Sequence, residues 1–401
     1  MEFVQGMSSK DIKTVIAWIL CFLAASISSA GGVGGGSLFL PILNLVAGLQ
    51  IRTAATFSAF MVTGGSLTTV IYNLFVGTSL IDYEITLLSQ PCLLLGVSVG
   101  VFFNIMFPEW LITVLFATFL AFSTFKTCSA GVRHWKNETE EIRRSRDCGD
   151  DEVSLEVATA MDVEIVCATV GTPWAKLVIL VVVWLSFFGL HVLLADKDGQ
   201  SFIHIKPCAV GYWLITLSQI PLAIGFTLYI LYAKHRLYNE DHHENKHMKN
   251  IVSQNGISTQ PKFIFPVAAL LSGIVGGLLG IGGGLLINPV LLQIGVPPQT
   301  TAATTCFMVL FSSSMSSAQY LILGMKGVKQ ALVYAQLCIV GSALGLIMME
   351  RVVIKSGRAS LIVFMVSIVM ALSTVSITSF GAIDVWSDYT DGKYMGFKLP
   401  C

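Results

Sequence analysis

The chain has 401 residues, of which 54% are apolar and 12% charged, and its formal net charge is zero. Soluble domains carry about a quarter charged residues, so this composition excludes an ordinary soluble globular protein. The sequence contains no basic stripe and no aromatic-basic platform, which excludes nucleic acid as a partner.

Apolar runs of about 20 residues, long enough to cross a bilayer, recur along the chain. Because a lipid-exposed span must satisfy its own backbone hydrogen bonds, each run is expected to be helical. The sequence therefore predicts an all-α polytopic membrane protein of the plasma membrane or an endomembrane. The predicted spans lie at about 14–30, 53–76, 85–106, 109–128, 174–195, 208–233, 263–279, 301–323, 328–349 and 358–380.

The segment Gly32 to Tyr72 recurs without a gap at Gly280 to Tyr320, with 13 identities in 41 positions. About three or four identities are expected by chance in a chain of this composition. The shared positions include a glycine cluster, a proline five residues after it (Pro41 and Pro289), and a Thr-Ala-Ala-Thr run at 53–56 and 301–304. A duplicated, glycine-broken element is typical of transporters built from two related halves.

The polar stretches divide the chain into six parts. We predict a first transmembrane repeat at 1–128, a polar acidic loop at 129–172, two connecting transmembrane helices at 173–233, a second polar loop at 234–262, a second transmembrane repeat at 263–380 and a C-terminal tail at 381–401. Each polar loop carries five Lys or Arg residues, so the positive-inside rule places both loops in the cytosol.

Each repeat contributes three spans and a glycine-broken hairpin, so the number of crossings in a repeat is odd. The second repeat is then inverted relative to the first; a broken helix that crossed only once would give parallel repeats instead. The sequon Asn137-Glu138-Thr139 lies in the first polar loop. In this orientation it faces the cytosol and stays unglycosylated.

The glycine clusters predict a binding site for an anion. A polyglycine break followed by a short helix turns unpaired backbone N–H groups and the positive end of the helix dipole toward one point. The alternative is that the glycines only let helices pack closely. The candidate substrate-binding residues are Gly34, Gly35, Gly36 and Ser37 in the first repeat and Gly282, Gly283, Gly284 and Leu285 in the second.

The Thr-Ala-Ala-Thr runs add four hydroxyl groups at a fixed distance from the glycines. Thr53, Thr56, Thr301 and Thr304 are therefore further candidate substrate-binding residues, as neutral donors to an oxyanion. For any single one of them, ordinary hydrogen bonding between helices is the alternative interpretation.

Other polar residues give weaker signals. No charged residue lies well inside the repeat helices and His191 stands alone in a connecting span, so proton coupling has no evident carrier. We predict that Arg52 is a solvated charge. The histidines between 235 and 247 indicate a solvated loop or a metal cluster. No catalytic motif is present, so we predict no enzyme, no cofactor and no metal site.

The segment 137–164 contains ten Asp or Glu residues beside Arg143, Arg144 and Arg146. This composition predicts disorder and leaves open a cytosolic partner at the acidic loop. Assembly into a homo-oligomer is likewise left open.

The chain resembles the TauE/SafE sulfite exporter family, and its long central loop resembles the plant-type membrane permeases. The residues that carry the resemblance are Gly31–Gly36 with Pro41, Gly280–Gly284 with Asn288-Pro289, and the two Thr-Ala-Ala-Thr runs. The resemblance implies export of small sulfur-containing anions such as sulfite or an organosulfonate. A passive anion channel and a membrane scaffold or receptor acting through the acidic loop are the alternatives.

Overall fold

The structure is a computed structural model of the 401-residue chain. It describes residues 9–29, 36–75, 81–147, 173–194, 210–244, 264–356, 360–390 and 396. All regular structure in these ranges is helical. The helices are α1 (Ser9–Ser29), α2 (Gly36–Pro41, continued by a π-helical turn, Ile42–Val46), α3 (Ile51–Phe75), α4 (Tyr83–Met106), α5 (Glu109–Asp147), α6 (Pro173–Leu194), α7 (Val210–Glu244), α8 (Ile264–Leu279), α9 (Gly284–Ile294), α10 (Pro298–Ile322), α11 (Val328–Ser356) and α12 (Ser360–Thr390).

Each predicted span lies on a described helix that begins within about five residues of it, and four of these helices continue beyond the predicted end. Within the described residues, six helices are long and apolar enough to cross a membrane, and four shorter apolar helices accompany them. The predicted all-α, multi-pass membrane class is therefore confirmed. The six long spans are Ile51–Phe75, Tyr83–Met106, Glu109–Glu140, Trp174–Leu193, Thr216–Ala233 and Val328–Met348.

In each repeat, the fourth helix packs against the first helix of the other repeat. Helices α1 to α5 correspond in order to α8 to α12, and α4 packs along α8 just as α11 packs along α1. Both contacts depend on glycine: a Cβ on Gly100 of α4 would lie 2.8 Å from the backbone N of Leu278, and a Cβ on Gly341 of α11 would lie 2.8 Å from the carbonyl O of Phe22. Glycine thus brings the two halves into backbone contact at two matching seams.

Helices α5 and α12, which are counterparts in the two repeats, run antiparallel. The Thr124 hydroxyl lies 3.3 Å from that of Thr374, whereas Glu138, further along α5, hydrogen-bonds to Ser360 at the start of α12. Two inverted halves would place counterpart helices in opposite directions, and the inversion of the whole repeats stays a prediction.

Helices extend into the stretches that were predicted as polar loops and as the C-terminal tail. Helix α5 continues to Asp147, so the predicted loop at 129–172 begins within a helix, and 148–172 lie outside the described residues. Helix α7 likewise continues to Glu244, and α12 reaches Thr390, inside the predicted tail. A helix that leaves the bilayer keeps its backbone hydrogen bonds while water solvates its polar side chains, so a change to polar sequence does not end it.

Candidate functional site

The second glycine cluster reverses the chain between α8 and α9. Gly280, Gly282 and Gly283 have φ values of +66°, +74° and +74°, a left-handed conformation that glycine adopts without a steric penalty. The reversal lets α9 begin at Gly284 directly after Gly283. A residue with a side chain at these three positions would strain the backbone, so the glycines have a structural role here.

This glycine break lies at mid-length of two long helices. A Cβ on Gly282 would lie 2.9 Å from Val62 Cγ1 and 2.8 Å from Val309 Cγ1. Val62 and Val309 are each the twelfth residue of a 25-residue helix, α3 and α10 respectively. A helix of that length spans about 38 Å, so its middle lies near the centre of a hydrocarbon core about 30 Å thick.

The two glycine breaks touch each other. A Cβ on Gly36, the first residue of α2, would lie 2.6 Å from the Cα of Ile281 in the second break. Gly34 and Gly35 lie outside the described residues. Gly36, the described part of the first break, thus lies against the second break.

Serine hydroxyls satisfy the carbonyl groups of the second break. Ser312 of α10 donates to the Gly282 carbonyl at 2.6 Å, and Ser272 of α8 donates to the Gly283 carbonyl. The start of α9 has no side-chain cap, and the first N–H groups of a helix have no acceptor within it. Two carbonyl groups of the break are thus occupied, and the N–H groups of Gly284 and Leu285 lie in the first turn of α9, where a helix has no internal acceptor for them.

Ser37 adds an unused hydroxyl beside the point where the breaks meet. It follows Gly36 directly, its relative exposure is 0%, and its Oγ has no hydrogen-bond partner within the part of the chain that the structure describes. A buried hydroxyl without a partner costs free energy. Its presence in an apolar bundle therefore indicates a ligand or a water molecule as its missing partner.

The threonines of the repeated runs have other partners. Thr56 donates to the Thr53 carbonyl at 2.7 Å, Thr301 donates to the Val296 carbonyl at 3.3 Å, and Thr304 accepts from the backbone N of Asp82 at 2.9 Å. The bonds of Thr56 and Thr301 are local, and that of Thr304 joins two helices. The assignment of these threonines to anion binding stays a prediction.

The first of these runs contacts the second break through its small residues. A Cβ on Gly280 would collide with the carbonyl group of Ala55, which belongs to the run at 53–56. The repeated pattern thus has a packing role between the halves, because an alanine and a glycine let α3 and the break approach closely.

Gln90 of α4 is a candidate that sequence reasoning missed. It is fully buried, and neither its Oε1 nor its Nε2 has a hydrogen-bond partner among the described residues. Leu93, one turn further along the same face, brings its Cδ1 within 3.2 Å of the Cβ position of Gly283. The sequence signal was an amide within the apolar run 85–106, directly before Pro91.

Two further hydroxyl groups are buried without a hydrogen-bond partner among the described residues, on helices that enclose the break. They belong to Ser58 on α3 and Thr305 on α10, and both residues are fully buried. Together with Ser37 and Gln90, they give the bundle interior four neutral polar groups with unused hydrogen-bonding capacity.

Two charged or titratable side chains have hydrogen-bond partners that the sequence did not indicate. The Nε2 of His191 lies 2.9 Å from the neutral Ser98 hydroxyl. Arg52 is partly buried and donates through Nη2 to the Phe107 carbonyl, so it is not a freely solvated charge. In both cases a partner distant in sequence supplies the hydrogen bond.

The described residues contain no group of three or more His, Cys, Asp or Glu side chains that could hold a metal ion. The side chains of His235, His242 and His243 and the whole of His247 lie outside the described part. The five described cysteines form no disulfide bond with one another.

An all-helical bundle with two glycine breaks in contact at mid-depth defines a multi-pass membrane protein of the transporter class. The "Sulfite exporter TauE/SafE" family matches residues 17–377, and the chain belongs to that family. It is therefore a transporter and not an enzyme.

Curated relatives extend over almost the entire chain. Sulfite exporter TauE/SafE family protein 5 of Arabidopsis thaliana is 50% identical over 395 residues, which cover 96% of this chain and 87% of the relative. Family protein 2 of the same plant is 50% identical over 413 residues, covering 100% and 90%. No solved structure matches the chain. The predicted family is confirmed.

Proposed function

We propose that the protein transports small sulfur-containing oxyanions, such as sulfite or an organosulfonate, out of the cytosol. The anion binds where the two glycine breaks meet. The observation that carries this proposal is the contact of Gly36 with Ile281 at mid-depth, beside the unpartnered hydroxyl of Ser37. The names of the relatives, which refer to sulfite export, support the choice of a sulfur oxyanion.

Neutral donors suit this substrate. Backbone N–H groups at a helix start and a buried hydroxyl hold an anion without a fixed positive charge, which would be costly to bury in lipid. Because Ser312 and Ser272 occupy the Gly282 and Gly283 carbonyls, those oxygens do not repel the anion. The Gln90 amide can donate from the α4 side.

The packing of the halves supports an alternating mechanism. The two matching seams, α4 with α8 and α1 with α11, connect the repeats through backbone contacts, and α5 and α12 run antiparallel. Rocking of one half against the other about the central contact would open the site to each side in turn. Export of one negative charge from an inside-negative compartment gains about 2.3 kcal/mol per 100 mV.

The test is a flux assay in proteoliposomes with a panel of sulfite, sulfate, thiosulfate and taurine. Ser37→Ala and Gln90→Leu should each lower the flux of the transported anion at least severalfold while leaving the protein folded. Ser129→Ala is the matched control, because this hydroxyl is exposed and bonds only within its own helix. Unchanged flux in both site variants would overturn the site assignment.

Counterflow distinguishes a transporter from a passive channel. Substrate on the opposite side of the membrane should accelerate uptake of labelled anion if one site alternates between the two faces. Flux that does not saturate with anion concentration, and that substrate on the opposite side does not accelerate, would instead favour the channel.

A further inference from the structure

His191, near the end of α6, joins four helices through one ring nitrogen. Its Nε2 lies 2.9 Å from the Ser98 hydroxyl on α4, 3.0 Å from the Gln319 amide nitrogen on α10 and 3.4 Å from the Gln219 amide nitrogen on α7. The Gln319 amide also donates to the Ser98 oxygen at 3.3 Å. This is a closed polar cluster within an apolar bundle, centred on a titratable group.

The described neighbours of the ring carry no charge. From α4, α7 and α10 it meets one hydroxyl and two amides. The titratable groups on these helices are directed elsewhere: Glu84 pairs with Lys176 at 3.9 Å at the opposite end of α6, Cys92 contacts Thr227, and Tyr320 donates to the Gly277 carbonyl. Hence no described carboxylate or ammonium group holds the ring in one protonation state.

The cluster has a hydrogen-bonding arrangement for each state of the ring. When Nε2 is unprotonated, it accepts from the Ser98 hydroxyl or an amide N–H. When a proton binds to Nε2, the ring donates to the Ser98 oxygen, and the serine turns its own hydrogen to the Leu94 carbonyl 3.1 Å away. The Gln219 and Gln319 amides then rotate to present their oxygens. One proton is gained or lost at Nε2, and no other covalent bond changes.

Two helices connect this cluster to the glycine breaks. Gln319 is followed on α10 by Tyr320, whose hydroxyl donates at 2.7 Å to the carbonyl of Gly277, three residues before the second break begins. Ser98 lies on α4, the helix that carries Gln90 and Leu93. A rearrangement at His191 therefore acts on elements that contact the proposed anion site.

We propose that His191 is the proton-binding site that couples proton movement to anion transport. The proposal rests on the proposed function. An ionisable residue within a membrane bundle, with defined partners, is the usual marker of such coupling, and His191 occupies the connecting helix α6 rather than either repeat. The two protonation states of the ring select the two arrangements of the cluster, and these bias the two conformations of the transporter.

The test measures anion and proton movement together. Wild-type protein is reconstituted into liposomes that contain a pH-sensitive dye, and the anion panel above is applied with and without a pH gradient. We expect anion flux to move protons and a pH gradient to drive anion flux. His191→Gln keeps a hydrogen-bonding group but does not titrate, so downhill anion flux should persist without proton movement. His134→Gln is the same change in the polar extension of α5 (residues 129–147), and it should behave as wild type.

A second variant keeps the proposal testable if His191→Gln fails to fold. Ser98→Ala removes the oxygen that accepts from the protonated ring, and hydrogen bonds to a charged group are the stronger ones. The pH midpoint of coupled flux should therefore move to lower pH; a purely structural cluster would leave the midpoint unchanged. Anion flux without proton movement in wild type, or coupling intact in His191→Gln, would overturn this proposal alone. Absence of flux for every anion would overturn the proposed function as well.

Discussion

Glu138 of α5 accepts two hydrogen bonds from Ser360, the first residue of α12: one from the backbone N–H at 2.9 Å and one from the hydroxyl. A carboxylate at a helix start satisfies an unpaired N–H and interacts favourably with the helix dipole. The bond ties the polar extension of α5 to the second repeat.

Removing this cap should destabilise the protein. We expect Glu138→Ala to lower the free energy of unfolding by about 1 kcal/mol, measured as a lower midpoint of thermal unfolding in detergent. Glu140→Ala, a change of the same kind at an exposed position on the same helix, should have no comparable effect. Equal midpoints for the two variants would contradict the capping role.

The sequon around Glu138 should carry no glycan. Asn137 lies in α5, on the helical extension that docks against α12, and Thr139 donates to the Trp135 carbonyl at 2.7 Å within the helix. With the polar extension in the cytosol, treatment with an N-glycosidase should leave the electrophoretic mobility unchanged. A mobility shift that disappears in Asn137→Gln would reverse the proposed orientation.

Adding one methyl group at Gly36 should disturb the contact between the two breaks. A Cβ there would lie 2.6 Å from the Ile281 Cα. Backbone atoms would have to move to relieve this steric clash. We expect Gly36→Ala to reduce anion flux at least tenfold. Gly225→Ala is the matched control, because a Cβ at Gly225 would have no atom within 4 Å; its flux should equal that of wild type, and equal loss in both variants would exclude a specific effect.

Replacing Ser312 should destabilise the protein more than replacing its neighbour Ser313 on the same helix. Ser312→Ala leaves the buried Gly282 carbonyl without its donor at 2.6 Å, a loss of about 1–3 kcal/mol. Ser313 bonds only weakly to the Leu310 carbonyl at 3.5 Å, so Ser313→Ala should cost much less. Thermal unfolding in detergent compares the two variants, and a larger effect at Ser313 would count against the assigned role of Ser312.

Deletion of the acidic segment tests the scaffold alternative. The helical extension of α5 reaches Asp147 and includes the Glu138 cap, so the deletion should begin at 148 and end at 164. A transporter should retain its anion flux after this deletion, because the glycine breaks and both seams are intact. Loss of flux in folded, inserted protein would favour a function centred on the acidic segment.

The candidate site was predictable in part. The second glycine cluster marked its break because glycine readily adopts the left-handed turns at Gly280, Gly282 and Gly283, and Gly36 permits the contact with Ile281. The role of the threonines in binding stays a prediction: Thr56 and Thr301 bond within their own segments, whereas Thr304 receives the Asp82 N–H. Repetition in sequence identifies positions under a shared constraint, but packing and ligand binding both produce it.

The sequence by itself determined the all-helical membrane class, the two repeats and the family, because apolar run length, glycine pattern and internal duplication are local properties of the chain. Only the tertiary structure decided which polar groups lack partners, as Ser37 and Gln90 do, and which are joined, as His191 is to Ser98 and Gln319. His191 is separated in sequence from Ser98 by 93 positions and from Gln319 by 128. Such hydrogen bonds depend on how helices pack, and that packing follows from the combined shape of all side chains at the interfaces.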